Sequence, residues 1–474
     1  MVFSSLTFLC LFLPLLLMLY YAVRGDRARN VILLLASLLF YGWGEPVWIL
    51  AMLFSTAVNF FCARRIVSLQ STAARKLCLT IGVIVSIIFL VYFKYAAFFV
   101  NSFCALFGSS FRMQEPGLPI GISFYTFQIL TYTVDVYRGK AKVQQSPVRL
   151  LLYVSCFPQL IAGPIVQYAD VEDQLAHRAV TVDDFTAGFQ RFVAGLSRKV
   201  LLANLCGAIL EETALAGTGA EMSLLGAWAS AFLYTLQIYF DFSAYSDMAI
   251  GLGRMFGFTY LENFNYPYTA VSVTDFWRRW HISLSSFFRD YVYIPLGGNR
   301  RGKARTALNM MAVWMLTGLW HGASWNFIAW GLYYGVLLLI ERFVLHAALE
   351  KLPKAVRHVL TFLVVIVGWV IFYYTDFAAV GQHLLAMLGV GKTAVGGIAA
   401  LPLTDAAFRR VWKKYTVFPL LAFLFALPLP QKFKSLGEKT AASALRWAGT
   451  AAFLALDVVF LIGQSYNPFI YFRF

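Results

Sequence analysis

Apolar residues in this chain come in long runs, where strands would give short alternations. A helix needs about 20 mostly apolar residues to cross a bilayer. Stretches 3–22, 77–93, 146–166, 187–210, 223–242, 306–320, 325–345, 356–374, 415–429 and 446–463 approach that length. Between 31 and 62 the pattern predicts two shorter helices broken by GWGEP (42–46), a hairpin that does not fully cross. The run 118–137 is rich in Thr, Ser and Tyr, which predicts a helix facing protein or a cavity. Together these predict an all-α polytopic membrane protein with about eleven spans plus interfacial or re-entrant helices. One stretch breaks the pattern. Residues 259–305 contain no clean span and are dense in Arg, Trp, Tyr and His.

Composition agrees. Residues are 60% apolar and 13% charged, with a mean hydropathy of +0.69, whereas soluble proteins carry about a quarter charged residues. No large soluble domain fits, so 1–474 is read as one membrane-embedded domain. The net charge of +16 comes from 39 basic and 23 acidic residues. The basic ones gather in short loops at 24–29, 63–65, 138–142, 299–305, 413–414 and 432–434. The positive-inside rule expects such loops in the cytoplasm, which places the N-terminus outside and makes membrane lipid, not nucleic acid, the expected partner. The six cysteines lie in or beside apolar segments without metal spacing, and read as small buried hydrophobes. The opening apolar run has no basic flank or small-residue cleavage site, and reads as a retained span. No internal repeat is visible, which weighs against a secondary transporter. Asp135, Asp241 and Asp247 are the main acids within spans, giving proton-coupled transport little support.

Two stretches carry candidate chemistry. Ser272-Val-Thr-Asp275 has the spacing of a helix capping box, with Asp in place of the usual Glu. A helix starting there aligns Trp277, Trp280, His281, Leu284 and Phe288 on one stripe and Arg279, Ser283, Ser286 and Asp290 on another. It reads either as an interfacial helix with snorkelling arginines or as a site, because His281 stands where such a helix would place Leu. YIPLGGNRRG (293–302) reads as a sharp cytoplasmic turn and lacks P-loop spacing. In TGLWHGASWNF (317–327), helical spacing puts Trp314, Thr317, His321 and Ser324 on one face. Gly318 and Gly322 form a G-x-x-x-G pair that admits a neighbouring backbone. An imidazole at membrane depth is either a buried hydrogen-bonding residue or a functional one, and histidine suits proton transfer near neutral pH. The histidines lack a supporting metal-ligand cluster, and there is no G-x-S-x-G of a serine hydrolase.

The segment DFWRRWHISLSSFFRDYVYIPLGGNR (275–300), followed by LTGLWHGASWNFIAWG (316–331), resembles the membrane-bound O-acyltransferase family, in its bacterial polysaccharide and alginate O-acetylation branch. LLLASLLFYGWGEP (33–46), PIGISFYTFQILTYTVDVYRG (119–139) and FPQLIAGPIVQY (157–168) resemble it too. The likeness has a motif core at about 118–345 and is looser over the C-terminal helices 346–474.

The resemblance implies helices around a central tunnel and acyl transfer from a cytosolic thioester to a hydroxyl, with no bound cofactor. Acetyl-CoA or an acyl carrier protein would be the donor substrate. His321 would be the general base, and His281 would orient the donor or donate to the oxyanion. Trp277, Arg278, Trp280, Arg289, Asp290, Trp320 and Ser324 would bind donor or line the tunnel. Arg278, Arg279, Arg289 and Arg300 suit either donor phosphates or lipid headgroups. The acceptor would be an exported polysaccharide or a separate extracytoplasmic acetyltransferase acting as partner. Peptidoglycan acetylation, D-alanyl transfer to teichoic acid, and a non-enzymatic transporter or flippase are the alternatives. The segment 170–184 reads as a solvated acidic loop. The bacterial inner membrane is the expected location.

Overall fold

A computed structural model describes residues 1–161, 163–215, 222–392, 398–429, 440–463 and 469–470. The helices are α1 (Phe8–Ala22), α2 (Asp26–Gly42), α3 (Ile49–Ser68), α4 (Thr72–Leu106), α5 (Ile122–Arg138), α6 (Pro147–Ser155), α7 (Phe157–Leu160) and α8 (Tyr168–Ala176). They continue with α9 (Val182–Thr213), α10 (Leu224–Met255), α11 (Val273–Trp277), α12 (Ile282–Phe288), α13 (Gly302–His321), α14 (Trp325–Lys351), α15 (Lys354–Tyr373) and α16 (Phe377–Met387). A small antiparallel pair, β1 (Val390–Lys392) and β2 (Ile398–Ala400), precedes α17 (Ala406–Tyr415), α18 (Val417–Phe425) and α19 (Thr440–Ile462).

Among the described residues six helices are long and apolar enough to cross a bilayer: α3, α4, α9, α14, α15 and the 444–462 part of α19. The helices α10 and α13, of 32 and 20 residues, have the length but are too polar to qualify on composition. The stretch 146–166 is no span. Cys156 is non-helical, and the chain there makes two short buried helices, α6 and α7. The acidic segment 170–184 is not a loop either, since α8 and the start of α9 occupy most of it. The break at GWGEP is present between α2 and α3, but α3 is long and apolar enough to cross, where the pattern predicts a hairpin that stops short. The basic run 432–434 lies outside the described residues.

The chain forms two compact units. The first comprises Met1–Leu196, Tyr245–Glu262 and a strip from Leu461. Its core is aromatic: Phe3 lies against Phe8, Phe40, Phe157 and Tyr245 at centroid distances of 4.6 to 6.2 Å. A polar clamp joins α3, α4 and α5, where Asn59 donates to Ser86 Oγ at 2.9 Å and accepts from Thr133 at 2.6 Å. Gly82 leaves the room that Asn59 fills. The buried Arg178 donates to Asn30 Oδ1 at 2.7 Å and to the Phe256 carbonyl at 3.1 Å. Both side chains thus meet acceptors inside the unit, as a low-dielectric interior favours.

The second unit, Ser197–Ala244 with Asn263–Phe460, contains both candidate histidines. In it α13 and α14 form an antiparallel hairpin with backbones in contact. A Cβ at Gly318 would strike the Phe327 carbonyl, and one at Gly331 would strike the Trp314 carbonyl. Gly368 of α15 receives the Tyr334 hydroxyl in the same way. The basic residues Arg301, Lys303, Arg342, Lys351, Lys354 and Arg357 fall at one end of these three helices. At the other end lie His321 and Tyr374, and there the Leu224 N–H donates to the Pro402 carbonyl at 3.1 Å. The helix α17 is at this end too, capped by Asp405, with Lys414 paired to Glu212 at 3.4 Å. Lys413 and Lys414 therefore lie opposite the other basic loops of this unit, against the positive-inside expectation. The direction of α15 carries them there.

Candidate active site

Three of the N–H groups that open α11 are satisfied by side chains, as helix starts require. Ser272 Oγ accepts from the Asp275 N–H at 3.0 Å, as the capping spacing predicts. Asp275 returns a bond to the Val271 N–H at 3.2 Å, one residue earlier than the usual capping box. The Glu341 carboxylate accepts from Val273 and Thr274 at 2.7 and 3.1 Å. Glu341 reaches them from a π-helical turn, Glu341–Leu345, within α14. Such turns often mark functional positions.

The single helix expected over 272–288 does not form. α11 ends at Trp277 and α12 begins at Ile282, with His281 between them at φ 45° and ψ 56°. This left-handed conformation costs a non-glycine residue roughly 1–2 kcal/mol, and His is among the side chains enriched in it. The reason for the break is Asn263. Its carbonyl accepts from the Ile282 N–H at 2.9 Å. Its Oδ1 accepts from the Ser283 N–H at 3.2 Å and the Ser283 hydroxyl at 2.9 Å, and lies 3.1 Å from His281 Nδ1. His281 is 1% exposed, with the Phe242 ring edge-on at 4.7 Å. Burial pushes its pKa down to about 3, so the ring is neutral.

His321 is the last residue of α13 and is 4% exposed. The helix stops there because Gly322 is extended, so Ser324 does not share the His321 face; it is the N-cap residue of α14, and its hydroxyl bonds to Asn326. Rings enclose His321: Trp320 at 5.0 Å, Trp330 at 4.9 Å and Phe372 at 5.2 Å. Trp320 also meets His281 at 5.6 Å, so one indole touches both imidazoles.

Of the other expected residues, Trp277 and Trp280 are buried and join the same ring cluster. Trp277 packs on Trp330 at 5.5 Å, and Trp280 on Trp369 at 4.7 Å. Arg278 and Arg289 are exposed, and Arg289 pairs with Asp290 at 2.7 Å. The structure thus brings together His281, His321, Trp277, Trp280 and Trp320, and leaves the arginines outside the cluster. Sequence reasoning missed Asn263, Phe242, Trp330, Trp369 and Phe372. A signal existed for Trp369, a tryptophan in the middle of an apolar run where lipid-facing helices carry aliphatic side chains. The indole N–H groups of Trp277 and Trp330 are buried without a hydrogen-bond partner among the described residues. Such donors are costly unless a ligand oxygen meets them.

The arrangement offers a neutral imidazole fixed by hydrogen bonds, a second imidazole at a helix C-terminus, and unpaired donors nearby. Comparison with known proteins then identifies the family. The sequence model of the membrane-bound O-acyltransferase family matches residues 89–381, which include both histidines. The chain is 39% identical over 504 positions to the probable alginate O-acetylase AlgI of Azotobacter vinelandii, covering all of both chains. It is 30% identical over 522 positions to the peptidoglycan O-acetyltransferase of Helicobacter pylori, covering all of this chain and 98% of the relative. A teichoic acid D-alanyltransferase of Bacillus subtilis is 30% identical over 236 positions, covering 47% of this chain and 59% of the relative. Apolar helices, two buried histidines and this coverage lead to one conclusion: the chain belongs to the membrane-bound O-acyltransferase family, in the branch of the alginate O-acetylases, and is a multi-pass membrane O-acyltransferase.

Proposed function

We propose that the protein moves an acetyl group from a cytosolic thioester to a hydroxyl of an exported polysaccharide, directly or through an extracytoplasmic acyltransferase partner. The setting is the bacterial inner membrane. The observation that carries this reading is the pair of buried imidazoles bridged by Trp320, in a chain alike over its full length to an alginate O-acetylase. Alcohols are weak nucleophiles at pH 7, so a base must take the hydroxyl proton as the carbonyl is attacked, worth about 10²–10⁴-fold. His321 is that base. The positive charge forming on its ring meets the negative end of the 20-residue helix α13, which favours a cation. Collapse of the tetrahedral adduct expels the donor thiolate, which takes up a proton. The buried indole N–H groups of Trp277 and Trp330 are the donors suited to the oxyanion. His281, whose Nδ1 faces Asn263, serves to orient.

The test is donor consumption. Wild-type protein and His321→Ala, both verified as folded in detergent, are given labelled acetyl-CoA, and thioester loss is followed. Turnover by wild type alone supports the reading; equal turnover removes His321 from the chemistry. Peptidoglycan is a second acceptor class, favoured by the full-length match to the Helicobacter pylori enzyme. Supplying each glycan separately decides between them. D-alanyl transfer from a carrier protein has weaker support, because that likeness covers 47% of the chain.

A further inference from the structure

Asn263 is fully buried, and its Oδ1 lies 3.2 Å from the Ser283 backbone N–H. A backbone N–H can only donate, so the atom it meets is the amide oxygen, whichever way the amide is drawn. That oxygen lies 3.1 Å from His281 Nδ1. Two atoms at that distance cannot both be acceptors, so Nδ1 carries the hydrogen. In a neutral imidazole the other nitrogen, Nε2, then holds the lone pair. The Ser283 hydroxyl, 2.9 Å from the same oxygen, leaves that oxygen loaded with donors and reinforces its orientation. The backbone carbonyl of Asn263 holds the Ile282 N–H at 2.9 Å, which fixes the left-handed turn at His281 and so the direction of the ring.

We infer that Asn263 is a positioning residue that locks His281 in the Nδ1–H tautomer, so that Nε2 acts as a hydrogen-bond acceptor toward the reacting groups and not as a donor to an oxyanion. The inference rests on the acyltransferase reading for its functional meaning, though not for the tautomer itself. A group that accepts at Nε2 would hold an N–H or O–H of the substrate; the acceptor hydroxyl and the amide N–H groups of a pantetheine arm are the two chemistries it suits. Its partner across Trp320, His321, would then take the proton. The division is one imidazole that orients by accepting and one that titrates. Aspartate at 263 would keep the acceptor and add a charge, making His281 more basic. Alanine would remove the acceptor and leave Ser283, 3.5 Å from Nδ1, to set either tautomer.

The experiment is nitrogen NMR on protein labelled at the histidine ring nitrogens, with the His281 signals assigned by subtraction of a His281→Gln spectrum. Wild type should show a protonated Nδ1 and an unprotonated Nε2. An Nε2–H tautomer, or a doubly protonated ring at pH 7, overturns the inference. The wild-type spectrum decides this even if Asn263→Ala does not fold. Where the variants fold, Asn263→Ala should mix the tautomers and lower kcat about 10–100-fold, with the donor KM raised only where Nε2 holds the pantetheine arm. Asn263→Asp should keep the tautomer and shift the acid limb of the pH–rate profile upward. An unshifted limb together with unchanged kcat in Asn263→Ala counts against the positioning role. A correct tautomer with no turnover of acetyl-CoA in any form leaves the lock standing and sinks the proposed donor. Turnover with the opposite tautomer does the reverse.

Discussion

The surroundings of the two histidines differ in kind. His281 is held by directional bonds: a left-handed backbone, an amide oxygen at 3.1 Å and a capped helix just before it. His321 sits at the end of a regular helix with three aromatic rings packed around it. Hydrogen bonds select one protonation pattern and penalise the other. Ring packing fixes position without choosing between the two ring nitrogens. An orienting imidazole needs the first environment, and a base that gains and loses a proton each cycle needs the second.

Substitutions at the two positions should therefore fail differently. The largest effect is expected for His321→Ala, with thioester consumption reduced about 10²–10⁴-fold while the folded fraction stays unchanged. His281→Asn should do less harm, because Asn tolerates the left-handed region and retains an acceptor. At least about a tenth of wild-type turnover is expected to survive, the scale of one weakened hydrogen bond. His281→Val should instead lose folded protein, since a β-branched residue is strained at φ 45°. If the valine and asparagine variants behave alike, the backbone at 281 is not the constraint it looks to be.

The helices beneath each site allow a gentler comparison. Gly331→Ala would drive a methyl into the Trp314 carbonyl and separate α13 from α14 under His321. Overpacking of that kind costs about 1–3 kcal/mol and should lower the thermal midpoint by several degrees. Ser272→Ala removes a cap near His281 and should cost about 1 kcal/mol. Acid probes the His281 surroundings without a substitution there. The ordinary His pKa of 6.5 falls to about 3 at His281, so the folded state resists a proton that the unfolded chain accepts. Stability from this group is complete above pH 6.5 and declines as pH falls toward 3. Thermal midpoints of His281→Gln should decline less over that window.

Much of this was legible in the residues. Span-length apolar runs gave the helices, S-x-x-D gave the start of α11, and both histidine motifs pointed to the second unit's core. What could not be read was the kink at His281. The 3–4 residue periodicity of Trp277, Trp280, His281 and Leu284 fits an unbroken helix, and only a bond from distant Asn263 shows that the chain turns. Ser324 was misplaced for a related reason: Gly322 could have continued a helix or ended it, and the close fit of α14 against α13 decided the matter. The buried run 146–166 looked like a span because a segment covered on all sides by protein is as apolar as one facing lipid.

The α13–α14 hairpin also bears on how the chain is made. Its glycine seam lets the two helices pack before the rest of the protein exists, so they suit insertion into the bilayer as one unit. If the pair inserts as a hairpin, its tip, His321 to Ser324, enters the hydrocarbon with His321 as its one ionisable group. A histidine can make that passage uncharged, whereas Lys or Arg would cross with a charge at a cost of about 2.5–3.5 kcal/mol. The side chain proposed as proton acceptor is thus also one whose passage into the bilayer carries no obligatory charge.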